Sequence, residues 1–302
     1  MSDRGSADRQ ENAVPETDGG FETGFLPVDP GHERGGIGRT LSIAAIEYRL
    51  AVRSRWALAL TGLFLAFSLA LATFSGASVA PQGYERVVAS LAALAVYLVP
   101  LAALAFGYDA IVGSEESGWL HALFALPVAR SRVVIGTYLG RAVVLASAIV
   151  VGFGVSGLLL LREFGVAGWP TYLWFTLASV GVALAFLSIA VFVSTIAAEK
   201  AHALGLSLLA WAWFVLVHDL LSLGVIAAFA LPDRAVTAMV LANPTGVFRV
   251  LVLSQLETAG TGGFTAILAA TDLSVGLLAA ALLAWIVVPL VAAAALVRRR
   301  TL

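Results

Sequence analysis

Residues Val133–Leu161 read VVIGTYLGRAVVLASAIVVGFGVSGLLLL, and the only charge among them is Arg141. A helix that crosses a bilayer needs about 20 predominantly apolar residues, so this run crosses with length to spare. Outward from it lie comparable runs at Trp56–Phe74, Val87–Val112, Tyr172–Ile196, Ala203–Ala230 and Val275–Val297. Six helical spans follow, and the fold class is an all-α polytopic membrane protein. Composition agrees. Hydrophobic residues make up 60% of the 302-residue chain and charged ones 12%, against about a quarter charged in soluble domains. Trp56, Tyr84, Trp169, Tyr172 and Trp174 stand at span ends, where amphipathic rings favour the interface.

Charge is unevenly spread. Residues 1–38 hold eight of the nineteen acidic residues and are rich in Gly, Pro and Ser, the composition of a disordered tail. They lack the basic start and apolar core of a signal peptide. Two domains are expected: an acidic cytoplasmic tail, 1–38, and a transmembrane domain, 39–302. Arg39, Arg49, Arg53, Arg55, Arg130, Arg132, Arg141, Lys200 and Arg298–Arg300 flank one side of the spans. Arg86, Arg162, Arg234 and Arg249 flank the other. The positive-inside rule puts the first side, and both termini, in the cytoplasm, with the chain in the plasma membrane.

Three shorter helices are expected outside the spans. Thr40–Arg55 carries Leu41, Ala45, Tyr48 and Val52 at helical spacing and reads as an interfacial helix on the inner leaflet, or as a cytoplasmic extension of the first span. The inner loop Gly113–Arg132 holds an amphipathic stretch, Gly118–Leu126, closed by Pro127. The outer segment Leu231–Asp272 holds Asn243–Leu256, with Asn243 as N-cap and Pro244 in the first turn, ended by Gly260–Gly263. This outer helix is a shelf for an extracytoplasmic partner or a re-entrant plug of the outer mouth. Phe248 and Leu251 are expected to rest on the membrane bundle or the outer interface, with Arg249 and Gln255 then pointing outward or sideways.

Several chemistries are excluded. The single lysine, Lys200, follows Glu199 rather than a glycine-rich turn, so a P-loop is absent, and any ATP-driven function, with its Mg, needs a partner subunit. There is no cysteine, hence no thiolate metal site, and no metal or other cofactor is expected on this chain. Nor is nucleic acid a partner. Gly154-Val155-Ser156-Gly157 and Ala201-His202 resemble the motifs of rhomboid intramembrane proteases, but Ser156 lies near the outer end of its span and His202 at the inner start of its own. That separation is roughly 30 Å in depth, far beyond the reach a nucleophile and base need. No catalytic residue is assigned. A stand-alone secondary transporter would favour an internal repeat, and residues 40–161 and 172–302 show none. Asp109 reads as a polar contact between helices. The pair His218–Asp219, within a span, is a substrate path, a proton relay or a polar helix contact, since charges at bilayer depth face a bundle interior or a cavity.

Glu115-Glu116-Ser117-Gly118-Trp119-Leu120 leads through Leu123, Leu126, Pro127, Val128, Ala129 and Arg130 to Gly136-Thr137-Tyr138-Leu139-Gly140-Arg141. This resembles the permeases of the type-2 ABC exporter family, whose pattern is an acidic residue, a glycine, an apolar helix, "LP-V-S/A-R" and "G-K-x-L-G", with Thr137 in place of the lysine. Asn243-Pro244-Thr245-Gly246-Val247-Phe248-Arg249 is similar to the "NPxDxFR" of permeases that serve nitrous-oxide reductase maturation, with Gly246 where an aspartate is expected. The resemblance implies a six-helix permease domain, two permease copies and two ABC ATPase copies. It implies that Glu115, Glu116, Gly118, Leu123, Leu126, Pro127 and Arg130 belong to a coupling helix that docks on the ATPase. It also implies export, or force passed to an outer accessory protein, in copper-enzyme maturation. Surrounding lipid completes the set of partners.

Overall fold

The computed structural model describes residues 36–74, 83–116, 129–166, 168–229, 231–256 and 273–299. The tail to residue 35, Gly118, Leu123, Leu126, Pro127 and Gly260–Gly263 lie outside the described residues. In chain order the helices are α1 (Gly36–Arg53), α2 (Trp56–Phe74), α3 (Gly83–Gly107), α4 (Val112–Glu116), α5 (Arg130–Phe164), α6 (Trp169–Ile196), α7 (Lys200–Ala212), a π turn (Trp213–Val217), α8 (His218–Ala228), α9 (Asp233–Leu241), α10 (Pro244–Leu253) and α11 (Val275–Arg299). Among the described residues, six runs are long and apolar enough to cross a membrane: α2, α3 with α4, α5, α6, α7 through α8, and α11. These match the six runs read from the sequence.

Helix α5 organises the bundle. Its 35 residues reach about 52 Å at ~1.5 Å per residue, against a hydrocarbon core of about 30 Å. The twenty residues Ala142–Leu161 carry no charge and fill that core, so the turns before Arg141 extend past it. On those turns lies α1. A Cβ on Gly136 would come within 2.8 Å of Ile43 Cβ and 3.0 Å of the Thr40 carbonyl, and one on Gly140 within 2.6 Å of the Ala44 carbonyl and of Glu47 Cβ. The glycines of the Gly136–Gly140 motif thus form a small-xxx-small seat for the interfacial helix. Further along, Gly152 admits α2, whose Phe64 Cβ would stand 2.5 Å from an added methyl. Substituting Gly140 by alanine should lift α1 from its seat and cost about 1–3 kcal/mol, the scale of core overpacking. Gly154, with nothing within 4 Å, should accept alanine, and thermal denaturation of the two variants side by side checks the contrast.

The other face of α5 packs on α6, which lies between α3 and α11. The aromatic set Phe64, Phe153, Phe175, Tyr172 and Phe248 interlocks there, with centroid distances from 5.1 to 6.5 Å. The span α7–α8 is different: only 11% of its apolar window is buried within the chain, against 67% for α6.

Candidate functional site

Two polar clusters break the apolar bundle, one in each half. The one on the side that the positive-inside rule would put outside, called the outer cluster, is built on a hairpin. Helices α9 and α10 are nine and ten residues long and meet at 110°, so neither spans and together they turn back. The tip, Asn243, bonds to residues of the π turn and the start of α8, well inside the α7–α8 span. The sequence marks that tip: Asn243 accepts from the Thr245 N–H at 3.0 Å and Pro244 opens α10, an Asn cap with proline in the first turn. The base of α10 is held by Trp174, whose Nε1 donates to the Leu251 carbonyl at 2.8 Å, and α11 holds α9 through Trp285 Nε1 and the Leu241 carbonyl at 3.0 Å.

At the tip, Asn243 Oδ1 faces Thr245, so the amide nitrogen is the edge turned to the span. It donates to the Phe214 carbonyl at 2.8 Å and lies 3.0 Å from His218 Nδ1. The Thr245 hydroxyl is 3.1 Å from the same Phe214 oxygen. The π turn from Trp213 to Val217 shifts the helical ladder and presents this carbonyl, the kind of irregularity found at functional sites. With both amide hydrogens aimed outward from Asn243, the imidazole accepts at Nδ1 and carries its proton on Nε2. One residue on, Asp219 Oδ2 pairs with Arg249 Nη2 at 2.7 Å, the side chains 18% and 14% exposed. Asp219 Oδ1 is buried with no hydrogen-bond partner among the described residues.

Thus the structure brings together what the sequence offered as two separate features. His218 and Asp219 are the docking points for the hairpin that carries Asn243, Pro244, Phe248 and Arg249. Phe248 and Leu251 are buried in the bundle, as a helix resting on it requires. Arg249 departs from the outward or sideways orientation expected of it on a docking shelf, because an aspartate on the next span neutralises it inside. Gly246 lines a small cavity beside Asp219, and a Cβ on it would stand 3.1 Å from the Val240 carbonyl across the hairpin. The carboxylate that the motif pattern places at this position is here found on the neighbouring span.

The inner cluster joins α1, the end of α3 and α5. Arg141 Nη1 pairs with Asp109 Oδ1 at 2.7 Å and donates to the Phe106 carbonyl, while Arg141 Nε lies 3.9 Å from Glu47 Oε2. Glu47 also accepts from the Thr137 hydroxyl at 3.4 Å, which gives the residue in the lysine position of the motif a definite contact. Burial pushes the Glu47 carboxyl above its usual range. The Arg141 guanidinium and Thr137 oppose that shift, and Asp109 adds to it. Asp109 is therefore the helix-to-helix contact that its position implied. Sequence reasoning does not pair Glu47 with Arg141; the available signal is the single acidic residue of the interfacial helix, Glu47, and the single charge of the long apolar run, Arg141.

Beside this cluster, Glu116 is exposed and bonds to the start of α7. Its Oε1 accepts from the Lys200 backbone N–H at 2.8 Å and its Oε2 lies 3.5 Å from Lys200 Nζ, so it caps the start of α7. Glu115 and Arg130 lie at the same end, as does Ser131, bonded to Arg298 at 3.3 Å. Ser156 is fully buried, its hydroxyl bonded to Ser68, whose own hydroxyl reaches the Gly152 carbonyl at 3.1 Å. The GxSG-like stretch is a helix-packing contact between α2 and α5.

A polytopic bundle of apolar helices with a bent helix pair at one end and a charged node at the other is an integral membrane protein. The chain belongs to the ABC-2 family of transporter proteins, whose family model matches residues 41–302. It is 36% identical over 270 residues to the "Probable ABC transporter permease protein NosY" of Stutzerimonas stutzeri, covering 86% of this chain and 98% of that one. The protein of the same name from Pseudomonas aeruginosa is 35% identical over 268 residues, with the same coverage. This chain is accordingly a multi-pass membrane permease subunit of an ABC transporter, of NosY-like sequence.

Proposed function

We propose that span α7–α8 is the lever through which a separate ABC ATPase works this permease. The carrying observation is that this span is tied at its start and again from its middle, while only 11% of its apolar window is buried within the chain. Glu116, at the edge of the inner loop 113–132, caps its first turn, and the Phe214 carbonyl and Asp219 grip the hairpin in its outer half. Closure of the ATPase dimer pulls on the inner loop, and the span passes the displacement to the hairpin. A bundle with two arrangements needs only such a bias to switch. The hairpin then acts as the re-entrant plug of an exit path, and the buried Arg249 supports that reading over a shelf. Two permease copies assemble with two ATPases, ATP and Mg reside on the ATPases, and the chain itself carries no catalytic residue or metal. Export, or force passed to an outer accessory protein in copper-enzyme maturation, is the role we attach to this movement on the family resemblance.

Three variants test the lever. Glu115→Arg should weaken recovery of the ATPase with the permease by about tenfold, the scale of a misplaced interface charge. Glu116→Gln and Lys200→Gln should keep the complex and its ATP turnover while transport falls. Normal transport in both of the latter sinks the lever.

The same reading places both termini and the inner loop in the cytoplasm. Since the chain has no natural cysteine, single cysteines report orientation. Ser131 is buried, so the exposed Ala129 is the better probe, with Val166 for the opposite end. An impermeant thiol reagent on intact cells should label a cysteine at Val166 and spare one at Ala129.

A further inference from the structure

Beside the inner cluster lies an open cavity of about 430 Å³, within the usual range for small-ligand sites. Its polar wall is Glu47, Asp109, Arg141 and Lys200, and its other wall is Trp56 with the end of α1. Depth is the first clue. Arg141 immediately precedes the uncharged run Ala142–Leu161, and Asp109 immediately follows the uncharged run Val87–Tyr108. Each run is about the thickness of a hydrocarbon core, so both residues sit at its boundary, and Lys200 opens the next span at the same end. The polar wall therefore lies where the headgroups of one leaflet lie. Leu50 and Trp56, 50% and 41% exposed, line the way towards the acyl chains.

Charge is the second clue. One guanidinium serves two carboxylates, which leaves a surplus negative charge on the cavity floor. Arg141 stacks over the Phe106 ring at 5.6 Å and so takes that ring, while Trp56, 5.8 Å from Phe106, lines the cavity as the aromatic left for a further cation. At the rim, Lys200 is 45% exposed and keeps ammonium donors beyond the contact with Glu116. A ligand that fits has a cation with N–H donors inward, an anion about one headgroup length away at the lysine, and an apolar tail.

We propose that this cavity holds the headgroup of an amine-bearing zwitterionic phospholipid of the phosphatidylethanolamine class, its ammonium on Glu47 and Asp109 and its phosphate on Lys200. A choline headgroup has no N–H to give the carboxylates, and a glycerol headgroup brings no cation to them. The lipid bridges α1, α3, α5 and α7, and so fills the joint between the interfacial helix and the lever span.

The full-length chain, purified and delipidated in detergent, is titrated with phosphatidylethanolamine, phosphatidylcholine and phosphatidylglycerol of one acyl composition, and bound lipid is counted by native mass spectrometry. Phosphatidylethanolamine should bind about tenfold more tightly than either, the worth of a charge-assisted hydrogen bond. Lys200→Gln should weaken phosphatidylethanolamine binding several-fold by removing the phosphate contact, and Ser54→Trp, at an exposed rim position, should block binding. Equal binding of the three lipids overturns the proposal, and so does full phosphatidylethanolamine binding in both variants. A photoreactive benzoylphenylalanine at Ser54 should give lipid adducts in cell membranes. Protein adducts alone would assign the cavity to a subunit contact and overturn it as well.

Discussion

Replacing Arg249 by alanine should destabilise the chain by about 3–5 kcal/mol, the cost of stranding one member of a buried ion pair. Asp219 and Arg249 are each less than a fifth exposed, and their contact at 2.7 Å lies in the outer half of a membrane span, where water cannot take over the lost partner. Asp219 already has one oxygen without a partner among the described residues, so losing Arg249 takes away the cation that its other oxygen meets. The companion Asp219→Asn should cost a similar amount by stranding the guanidinium. The double variant Asp219→Asn with Arg249→Gln should recover most of the loss, since neutral amides can bond to one another and carry no charge into the apolar phase. Thermal unfolding of the four proteins in one detergent gives the cycle, and additive losses would show that the two side chains do not act as a pair. Transport should fail in both single variants, because the hairpin loses its grip on the lever span before the bundle unfolds.

Why the sequence shows the spans and hides the hairpin is a matter of length scale. Each span holds a long uncharged run, and hydropathy over about 20 residues detects such runs directly. Helices α9 and α10 are half that length and their burial comes from other elements, so only the Asn243–Pro244 cap announced one of them. The π turn leaves no trace in periodicity, because it shifts the register by a single residue. Arg249 looked like a surface residue since arginine usually is one, and its partner, thirty positions earlier, belongs to another element. The glycines tell the same story in reverse. Gly136 and Gly140 were legible as a family motif, but only the approach of α1 to their Cα atoms explains why a side chain is excluded. Residues whose role is local could be read from the chain, and residues whose role is set by a crossing helix could not.

The inner cluster should be the second most sensitive place, and there the loss should be mechanical more than thermodynamic. Arg141→Met keeps the length and apolar stem of the side chain while removing the charge that holds Glu47 and Asp109 together. Two carboxylates then face each other without a cation. Part of the cost is relieved because Asp109 is 37% exposed and because Glu47, whose carboxyl burial already pushes up, can take a proton. A loss of about 2–4 kcal/mol follows, below the full cost of a stranded buried charge. The structural consequence is larger than the energy. Arg141 ties α1 to the end of α3 through α5, and without it α1 keeps the glycine seat and the Thr137–Glu47 hydrogen bond but loses its ionic link to α3. Limited proteolysis between α1 and α2 should therefore accelerate in Arg141→Met under conditions where thermal unfolding is still distant. In a complex with the ATPase, ATP turnover should persist while transport falls. Adding Glu47→Gln to Arg141→Met removes the carboxylate repulsion and should restore protection of α1. If the double variant is cut as fast as the single one, the guanidinium holds α1 by packing on Phe106, and the ion pairs are incidental.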